Sequence, residues 1–473
     1  MFLSSLFGAL TLSIRYAASI VAYDLLTFYH GNESGMTPGI LPGPPPDGDY
    51  YWWQGGAMWG TLVDYYHYTG DPTYVNTTKE SLLFQTGPEN NYMPPNWTAS
   101  LGNDDQAFWA LSAMLAAETR FPDPPEDDAR QWLALAQAVF NTQAHPDRHD
   151  DTCNGGLRWQ IPMSNNGYNY KNSIANGCFF NIGARLARYT DNETYAGWAH
   201  ETYDWLKSVR YIDDEYNVYD GAHVDHNCTD INKAQFSYNA AILLQGAAFM
   251  YNYTSGSGND TEDAAFWEAE VRGLLNGTLR VFFPDGIAFE VACEQGMSCT
   301  SDMLSFKGYL HRWMAVTAQL APFAWDTIMP VLRTSAEAAA RSCAGGDNQR
   351  MCGFQWSRAS EIGWDGTSGA GQQMNVLGAL SSLLANFDPI SEGESGGSSG
   401  PPITNSTGGT SGGNAAAGYD DARSWAHDPE PITNADRVGA GILTAVTIAS
   451  VLSGCVWLSV DETRSLSSLF SRS

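Results

Sequence analysis

Two adjacent acids, Asp104 and Asp105, lie inside Ser100-Leu101-Gly102-Asn103-Asp104-Asp105-Gln106-Ala107-Phe108-Trp109. Gly102 and Asn103 break the chain, and the apolar run from Ala107 to Ala117 reads as a helix. The pair therefore stands at or just before a helix N-terminus. Free backbone N–H groups and the positive end of the helix dipole favour an ionised carboxylate there. A second carboxylate beside it feels that charge, and its pKa rises. One ionised and one protonated acid is the division of labour that glycosidic cleavage requires. An Asp pair at a helix start is also an ordinary cap, so the surroundings must decide between the two roles.

The surroundings are aromatic and polar. The chain has 16 Trp and 23 Tyr, many in polar, glycine-rich settings: Tyr50-Tyr51-Trp52-Trp53-Gln54-Gly55-Gly56, Leu157-Arg158-Trp159-Gln160 and Tyr168-Asn169-Tyr170-Lys171-Asn172. A sugar ring lays its C–H face on an aromatic plane while its hydroxyls reach Asn, Gln, Asp and Lys at the edge. Such residues also fill helical cores, so a single aromatic carries little weight. His223-Val224-Asp225-His226-Asn227-Cys228 has the residue types of a zinc site. No second Cys/His pair of finger-like spacing follows it, so a solvated loop pinned by a disulfide is expected, with no metal and no cofactor. A net charge of -28 repels phosphate and excludes nucleic acid and anionic membranes as partners. The same charge disfavours a lyase acting on uronates.

The elements that must position these groups are helices. Period-3.6 patterns cover residues 13–30, 51–69, 104–119, 129–142, 171–190, 194–208, 235–253, 262–279, 303–321, 323–342 and 371–386, with a weaker one at 73–86. Alternating strands are scarce. Tyr68-Thr69-Gly70-Asp71-Pro72-Thr73-Tyr74 recurs as Tyr189-Thr190-Asp191-Asn192-Glu193-Thr194-Tyr195, with a looser echo at Tyr253-Thr254-Ser255-Gly256. In each, a helix ends, a Gly or Asx residue turns the chain, and a new helix is capped. Repeated helical hairpins cannot bury their apolar stripes alone and must stack. Closing about six of them gives an all-α (α/α)6 toroid; an irregular helical bundle is the alternative. Residues 13–387 form this catalytic domain. Gly, Ser, Pro and Thr dominate beyond it, so 388–437 reads as a flexible linker, a disordered stalk without a core.

Other features point to the cell surface. Glycosylation sequons occur at Asn32, Asn76, Asn96, Asn192, Asn227, Asn252, Asn259, Asn276 and Asn405. Only 16% of residues are charged, as suits a surface kept soluble by glycans. Cys293 with Cys299, and Cys343 with Cys352, are close enough to close short loops. Of Cys153, Cys178 and Cys228, the expected pair is Cys153–Cys228, with Cys178 buried and free; spacing alone does not fix it. Residues 1–12 read as a short signal peptide without a basic start. Residues 438–473 carry an apolar run with a polar tail behind the small-residue stretch, the order of a glycolipid-anchor signal. A single spanning helix is the competing reading.

Several long motifs in order carry a family resemblance. They are Leu101-Gly102-Asn103-Asp104-Asp105-Gln106-Ala107-Phe108-Trp109, Tyr51-Trp52-Trp53-Gln54-Gly55-Gly56-Ala57-Met58-Trp59-Gly60, Asn169-Tyr170-Lys171-Asn172-Ser173-Ile174-Ala175-Asn176-Gly177, Val218-Tyr219-Asp220-Gly221, Asn227-Cys228-Thr229-Asp230-Ile231-Asn232-Lys233 with Ser237-Tyr238-Asn239, and Ser305-Phe306-Lys307-Gly308-Tyr309-Leu310 with Arg312-Trp313. In these the chain resembles the fungal cell-wall branch of glycoside hydrolase family 76, over nearly all of 13–387. The resemblance implies an (α/α)6 fold and a retaining endo-α-1,6-mannanase type of site, with Asp104 as nucleophile and Asp105 as general acid/base. It places Trp52, Tyr170, Asn172, Asp220, Tyr238, Asn239, Lys307 and Arg312 around the cleft. It further implies a cell-surface monomer, held by a C-terminal lipid anchor, that acts on mannan or on the mannose core of glycolipid anchors. A covalent mannosyl-enzyme captured by β-glucan instead of water would make it a transglycosidase. The alternative from another class is an inert mannan-binding wall protein.

Overall fold

The computed structural model describes residues 2–257, 261–388, 399–418 and 434–459, and the chain divides into two compact units, 1–423 and 424–473. The first unit is built from α1 (Phe2–Leu26), α2 (Trp52–Thr69), α3 (Val75–Phe84), α4 (Asn103–Glu118), α5 (Trp132–Gln143), α6 (Ser173–Thr190) and α7 (Glu193–Ser208). It continues with α8 (Ser237–Ser257), α9 (Thr261–Phe282), α10 (Phe306–Leu320), α11 (Trp325–Arg341), the short α12 (Ala359–Ile362) and α13 (Ala370–Ser382). Helices α2, α4, α6, α8, α10 and α13 each pack on the next, and α13 closes on α2. The outer helices α1, α3, α5, α7, α9 and α11 each back onto this inner ring. The architecture is the expected (α/α)6 toroid. No break separates residues 2–12 from the rest of α1.

Sequence explains which helices lie inside. Nearly every residue of α2, α4, α6, α10 and α13 is buried, as befits a helix apolar on all sides. Outer α11 buries Ile328, Met329, Leu332, Ala336 and Ala339 on one face and leaves its charges on the other. Close approach of α2 and α4 depends on Gly56, where an added Cβ would lie 2.8 Å from the Trp109 ring. The repeated turns behave as read: Gly70 and Asp191 adopt left-handed conformations after α2 and α6.

Beneath the ring's open end, buried ion pairs close the axis. Arg185 meets Glu118 at 2.6 Å and Arg312 meets Asp64 at 2.5 Å. Disulfides join Cys153 to Cys228, Cys293 to Cys299 and Cys343 to Cys352, and Cys178 is a buried free thiol in α6.

Two elements differ from expectation. Three short strands, β1 (Tyr170–Asn172), β2 (Gly221–His223) and β3 (Ile231–Asn232), form an antiparallel sheet in which Tyr170 pairs with His223 and Gly221 with Asn232. Lys171 and Asn172 thus precede α6 instead of starting it.

The larger correction concerns the supposed stalk. Residues 399–418 are not a free linker but a strap laid across the C-terminal ends of the inner helices. The Gly400 carbonyl is bonded to His67 Nε2 at 3.0 Å, Arg188 donates to the Pro402 carbonyl at 2.8 Å, and Ile403 N–H donates to the Glu118 carbonyl at 2.9 Å. Further along, Asn414 N–H donates to Gln137 at 2.7 Å and Asn141 donates to the Ala417 carbonyl at 2.8 Å. A glycine- and serine-rich segment without an apolar stripe is held by its backbone polar groups, which satisfy the orphan ends of helices. Residues 389–398 and 419–433 of the expected linker, residue 1, and 460–473 of the tail lie outside the described residues.

The second unit contains α14 (Asn434–Ser459). Among the described residues, no helix is long and apolar enough to cross a membrane.

Candidate active site

The N-termini of α2, α4, α6, α8 and α10 converge on one cleft of about 450 Å³, lined by their first-turn residues and the loops between them. Several helix dipoles therefore point their positive ends at the same space. The start of α4 is fixed from both sides. Asn103 N–H donates to the Trp159 carbonyl at 2.8 Å, its side chain to the Arg158 carbonyl at 2.8 Å, and Arg148 donates to its Oδ1 at 2.6 Å.

From this start, Asp104 and Asp105 enter the cleft, half-buried, open on one side and enclosed on the others. Asp105 Oδ2 accepts from the Gly102 N–H at 2.6 Å, and Asp104 Oδ1 accepts from the Asp105 N–H at 3.1 Å. Asp104 Oδ1 and Asp105 Oδ2 lie 2.3 and 2.8 Å from the place a Cβ would take on Gly102, so they are no more than about 5 Å apart.

Burial lifts the Asp104 pKa to about 7, against the pull of backbone N–H groups and of the Trp159 side chain. Burial, and then the charge of Asp104, push Asp105 well above the carboxylate range. Asp104 is thus the acid that ionises first and Asp105 the one that keeps its proton. The sequence predicted a raised pKa for one member of the pair; here the low dielectric raises both.

The walls are aromatic: Trp52, Trp53, Phe108, Trp159, Tyr170, Phe236, Tyr238 and Phe306. Tyr170 donates to Asp220 Oδ2 at 2.7 Å, so the β1–β2 pairing sets this polar corner. Among the described residues, no Lys, Arg or His lines the cleft.

The model of glycosyl hydrolase family 76 matches residues 13–393. This chain belongs to glycosyl hydrolase family 76. It is a glycoside hydrolase. It is 43% identical over 450 residues to mannan endo-1,6-alpha-mannosidase DCW1 of Saccharomyces cerevisiae, covering 94% of this chain and 93% of that protein. It superposes with a TM-score of 0.78 on the crystal structure of Dfg5 from Chaetomium thermophilum in complex with glucosamine, at 58% identity, covering 86% of this chain and 95% of that one. An inactive variant of the α-1,6-mannanase GH76A of Salegentibacter sp., in complex with α-1,6-mannotriose, shares the fold at 16% identity and a TM-score of 0.60, covering 78% of this chain and 99% of that one.

Within this family 76 enzyme, Trp52, Tyr170, Asn172, Asp220 and Tyr238 reach the cleft alongside the acid pair. Asn239 does not line it; fully buried, it stands behind Asp220, whose charged form it favours. Lys307 and Arg312 need correcting. Lys307 is fully buried, pairs with Glu294 at 3.1 Å and lies over the Phe354 and Trp356 rings. Arg312 sits deeper along α10, on Asp64. An unpaired cation cannot be buried, so both turn to carboxylates within the wall.

Missed by sequence reasoning were Asp302, Gln160, Asn165 and the second indole, Trp53. Trp159 and Gln160 stand in an aromatic stretch singled out above, whereas Asp302 has no motif signal. Of the zinc-like residues, His223 sets its ring edge-on to Tyr170 and Asp225 accepts from Asn169. Among the sequons, Asn32, Asn76, Asn96, Asn227, Asn276 and Asn405 are exposed and Asn192 is half-buried, capping α7. Asn252 is half-buried, and its amide nitrogen donates to the Leu320 carbonyl at 3.1 Å. Asn259 lies outside the described residues.

Gly102 is where the pair is most sensitive. Its φ of -91° suits any residue, so the requirement is space. In Gly102→Ala the new methyl group displaces both carboxylates. The expected result is a loss in kcat/KM of about 100-fold, since misplacement by about 1 Å has that cost. The melting temperature should barely change. Steady-state kinetics with a melting curve checks this, and an active Gly102→Ala enzyme would show the placement to be wrong.

Proposed function

We propose that the chain is a retaining, endo-acting α-1,6-mannosidase of the cell surface. Its substrate is mannan or the mannose core of a glycolipid anchor, and its covalent intermediate is open to capture by a glucan hydroxyl as well as by water. The observation that carries this reading is the pair of neighbouring carboxylates in an aromatic cleft that, among the described residues, no basic side chain lines. A separation of no more than about 5 Å is too short to seat a water between the two acids, as an inverting pair must, and so favours a nucleophile and an acid/base.

Asp104 attacks the anomeric carbon while Asp105 protonates the departing glycosidic oxygen. The mannosyl–Asp104 ester forms as the C–O bond breaks. Asp105, now ionised, takes the proton from an incoming water or sugar hydroxyl, which attacks the same carbon and releases Asp104. Two inversions give net retention. The names of the curated relatives support the choice of α-1,6-mannan.

The sequons, the disulfides and the apolar C-terminal run support export as a glycoprotein and attachment by a lipid anchor, with the enzyme acting as a monomer. The decisive experiment incubates the enzyme with α-1,6-mannooligosaccharides, with and without a β-glucan acceptor, and follows products by mass and anomeric configuration. Internal cleavage with α-configured products is expected, plus a mannosyl–glucan adduct when acceptor is present. Inverted products would remove the double displacement, and absence of the adduct would remove the transfer.

A further inference from the structure

We propose that Asp302 is a substrate-binding residue that shares the cleft with the Asp104/Asp105 pair, accepts a hydrogen bond from a hydroxyl of the mannose being cleaved, and by its charge opposes ionisation of the pair. This deepens the mannosidase reading and rests on it.

Asp302 lies just before the short helical turn Met303–Ser305 that leads into α10, and it lines the same cleft as the pair. Its placement is built by α2. Trp53 Nε1 donates to Asp302 Oδ1 at 3.0 Å, Gln54 donates to the Ser301 carbonyl at 3.2 Å, and Ser301 Oγ donates to the Asp49 carbonyl. The Trp53 ring in turn packs on Phe108 at 4.6 Å, one helical turn beyond the catalytic pair on α4. The carboxylate is therefore locked relative to Asp104 and Asp105 through two aromatic side chains. Among the described residues, Oδ2 takes no hydrogen bond from another residue.

The groups around it are Asp104 and Asp105 from α4, Asp220 and Tyr170 from the strand corner, Tyr238 from α8 and Tyr309 from α10. None is a cation. A half-desolvated carboxylate with one oxygen unengaged and no counter-charge is costly in the empty cleft. Donors supplied by a ligand relieve that cost, and sugar hydroxyls are donors. Charge-assisted bonds of this kind are the strong ones. Burial raises the Asp302 pKa to about 6, so it is charged at neutral pH, and its charge opposes ionisation of both catalytic acids.

The test uses the full-length protein. First, α-1,6-mannotriose is titrated calorimetrically into the inactive Asp105→Ala variant with and without Asp302→Asn. The added substitution should weaken Kd by about tenfold to a hundredfold, the worth of a charged hydrogen bond; an unchanged Kd overturns the hydroxyl contact. A protein that binds no mannotriose even with Asp302 intact sinks that contact and the mannan reading together.

Second, melting temperature is followed from pH 4 to pH 8 without ligand, in wild type and Asp302→Asn. Acids whose folded pKa is raised bind protons more tightly folded than unfolded, so Asp104, Asp105 and Asp302 contribute a decline in stability as pH rises through that range. Asp302→Asn should flatten this decline, because it removes one such acid and relaxes two others. A uniform offset at every pH, the signature of a merely structural residue, overturns the electrostatic role. In the active enzyme, the acid limb of kcat/KM should move to lower pH in Asp302→Asn. An unmoved limb with normal wild-type turnover refutes the proposal while leaving the mannosidase reading intact.

Discussion

Asp104→Asn should lower kcat on α-1,6-mannooligosaccharides by on the order of 10⁴-fold or more, because no covalent intermediate can form without the nucleophile. Asp105→Asn should cost about 10²–10⁴-fold, the usual worth of a general acid/base. The two are separable by leaving group. An aryl mannoside whose phenol departs without a proton bypasses the acid in the first step, so Asp105→Asn should recover its burst of phenol and Asp104→Asn should not.

The pH dependence follows from which form works. The proposed mechanism needs Asp104 ionised and Asp105 protonated. Asp104 titrates at about 7 in the empty cleft. Lowering the pH through that value protonates it, and kcat/KM falls. Asp105 titrates well above, and raising the pH far enough removes its proton, so kcat/KM falls again.

Neither variant should be less stable at neutral pH. Both acids have folded pKa values raised above the unfolded ones, so ionising them costs the folded state, and an amide in their place removes that cost. Near-normal turnover in either variant, or a marked drop in melting temperature, would show that the pair is a structural cap and not the catalytic centre.

Arg185→Met should be the most damaging change away from the cleft. Glu118 is almost wholly buried, and Arg185 donates to its Oε2 at 2.6 and 3.0 Å and to Oε1 at 3.3 Å, as well as to the Leu111 carbonyl at 3.3 Å. Removing the guanidinium leaves a carboxylate stranded on the axis of the ring. Breaking such a pair costs about 3–5 kcal/mol, which corresponds to a fall in melting temperature of roughly 5–10 °C in a domain this large.

Replacing both partners, Arg185→Met with Glu118→Leu, should recover most of the loss, because an apolar pair fills the space without a charge to desolvate. Thermal melts of the two single variants and the double variant form the required cycle. If the double variant is as unstable as the sum of the singles, the two residues act independently and the axis is not closed by their pairing.

Several elements were legible in one dimension. Inner and outer helices announce themselves by period and by Gly or Asx stops, since apolar burial at 3.6-residue spacing is a local property of the chain. Asp104 and Asp105 were legible because a helix start, an acid pair and aromatic neighbours lie within a few residues of one another. Burial depth is different. Phe306 opens α10 on the cleft, while Lys307, the next residue, turns into the wall toward Glu294, and Arg312 lies further down the ring on Asp64. Both cations sit in a polar motif, yet which side of a helix start meets the cleft depends on helices far away in sequence. Asp302 was invisible for the same reason, since Trp53, the side chain that gives it a role, is distant along the chain.

The sequence alone determined the helical class, the repeat that closes into a ring and the position of the acid pair proposed to cleave the glycosidic bond, because each is written in neighbouring residues. Tertiary structure decided which first-turn side chains share the cleft, which charges retreat into ion pairs, and that residues 399–418 bind the ring instead of hanging free. Those outcomes turn on the desolvation of polar groups. Its cost is set by every atom that surrounds a group in three dimensions and by nothing in the group's own stretch of chain.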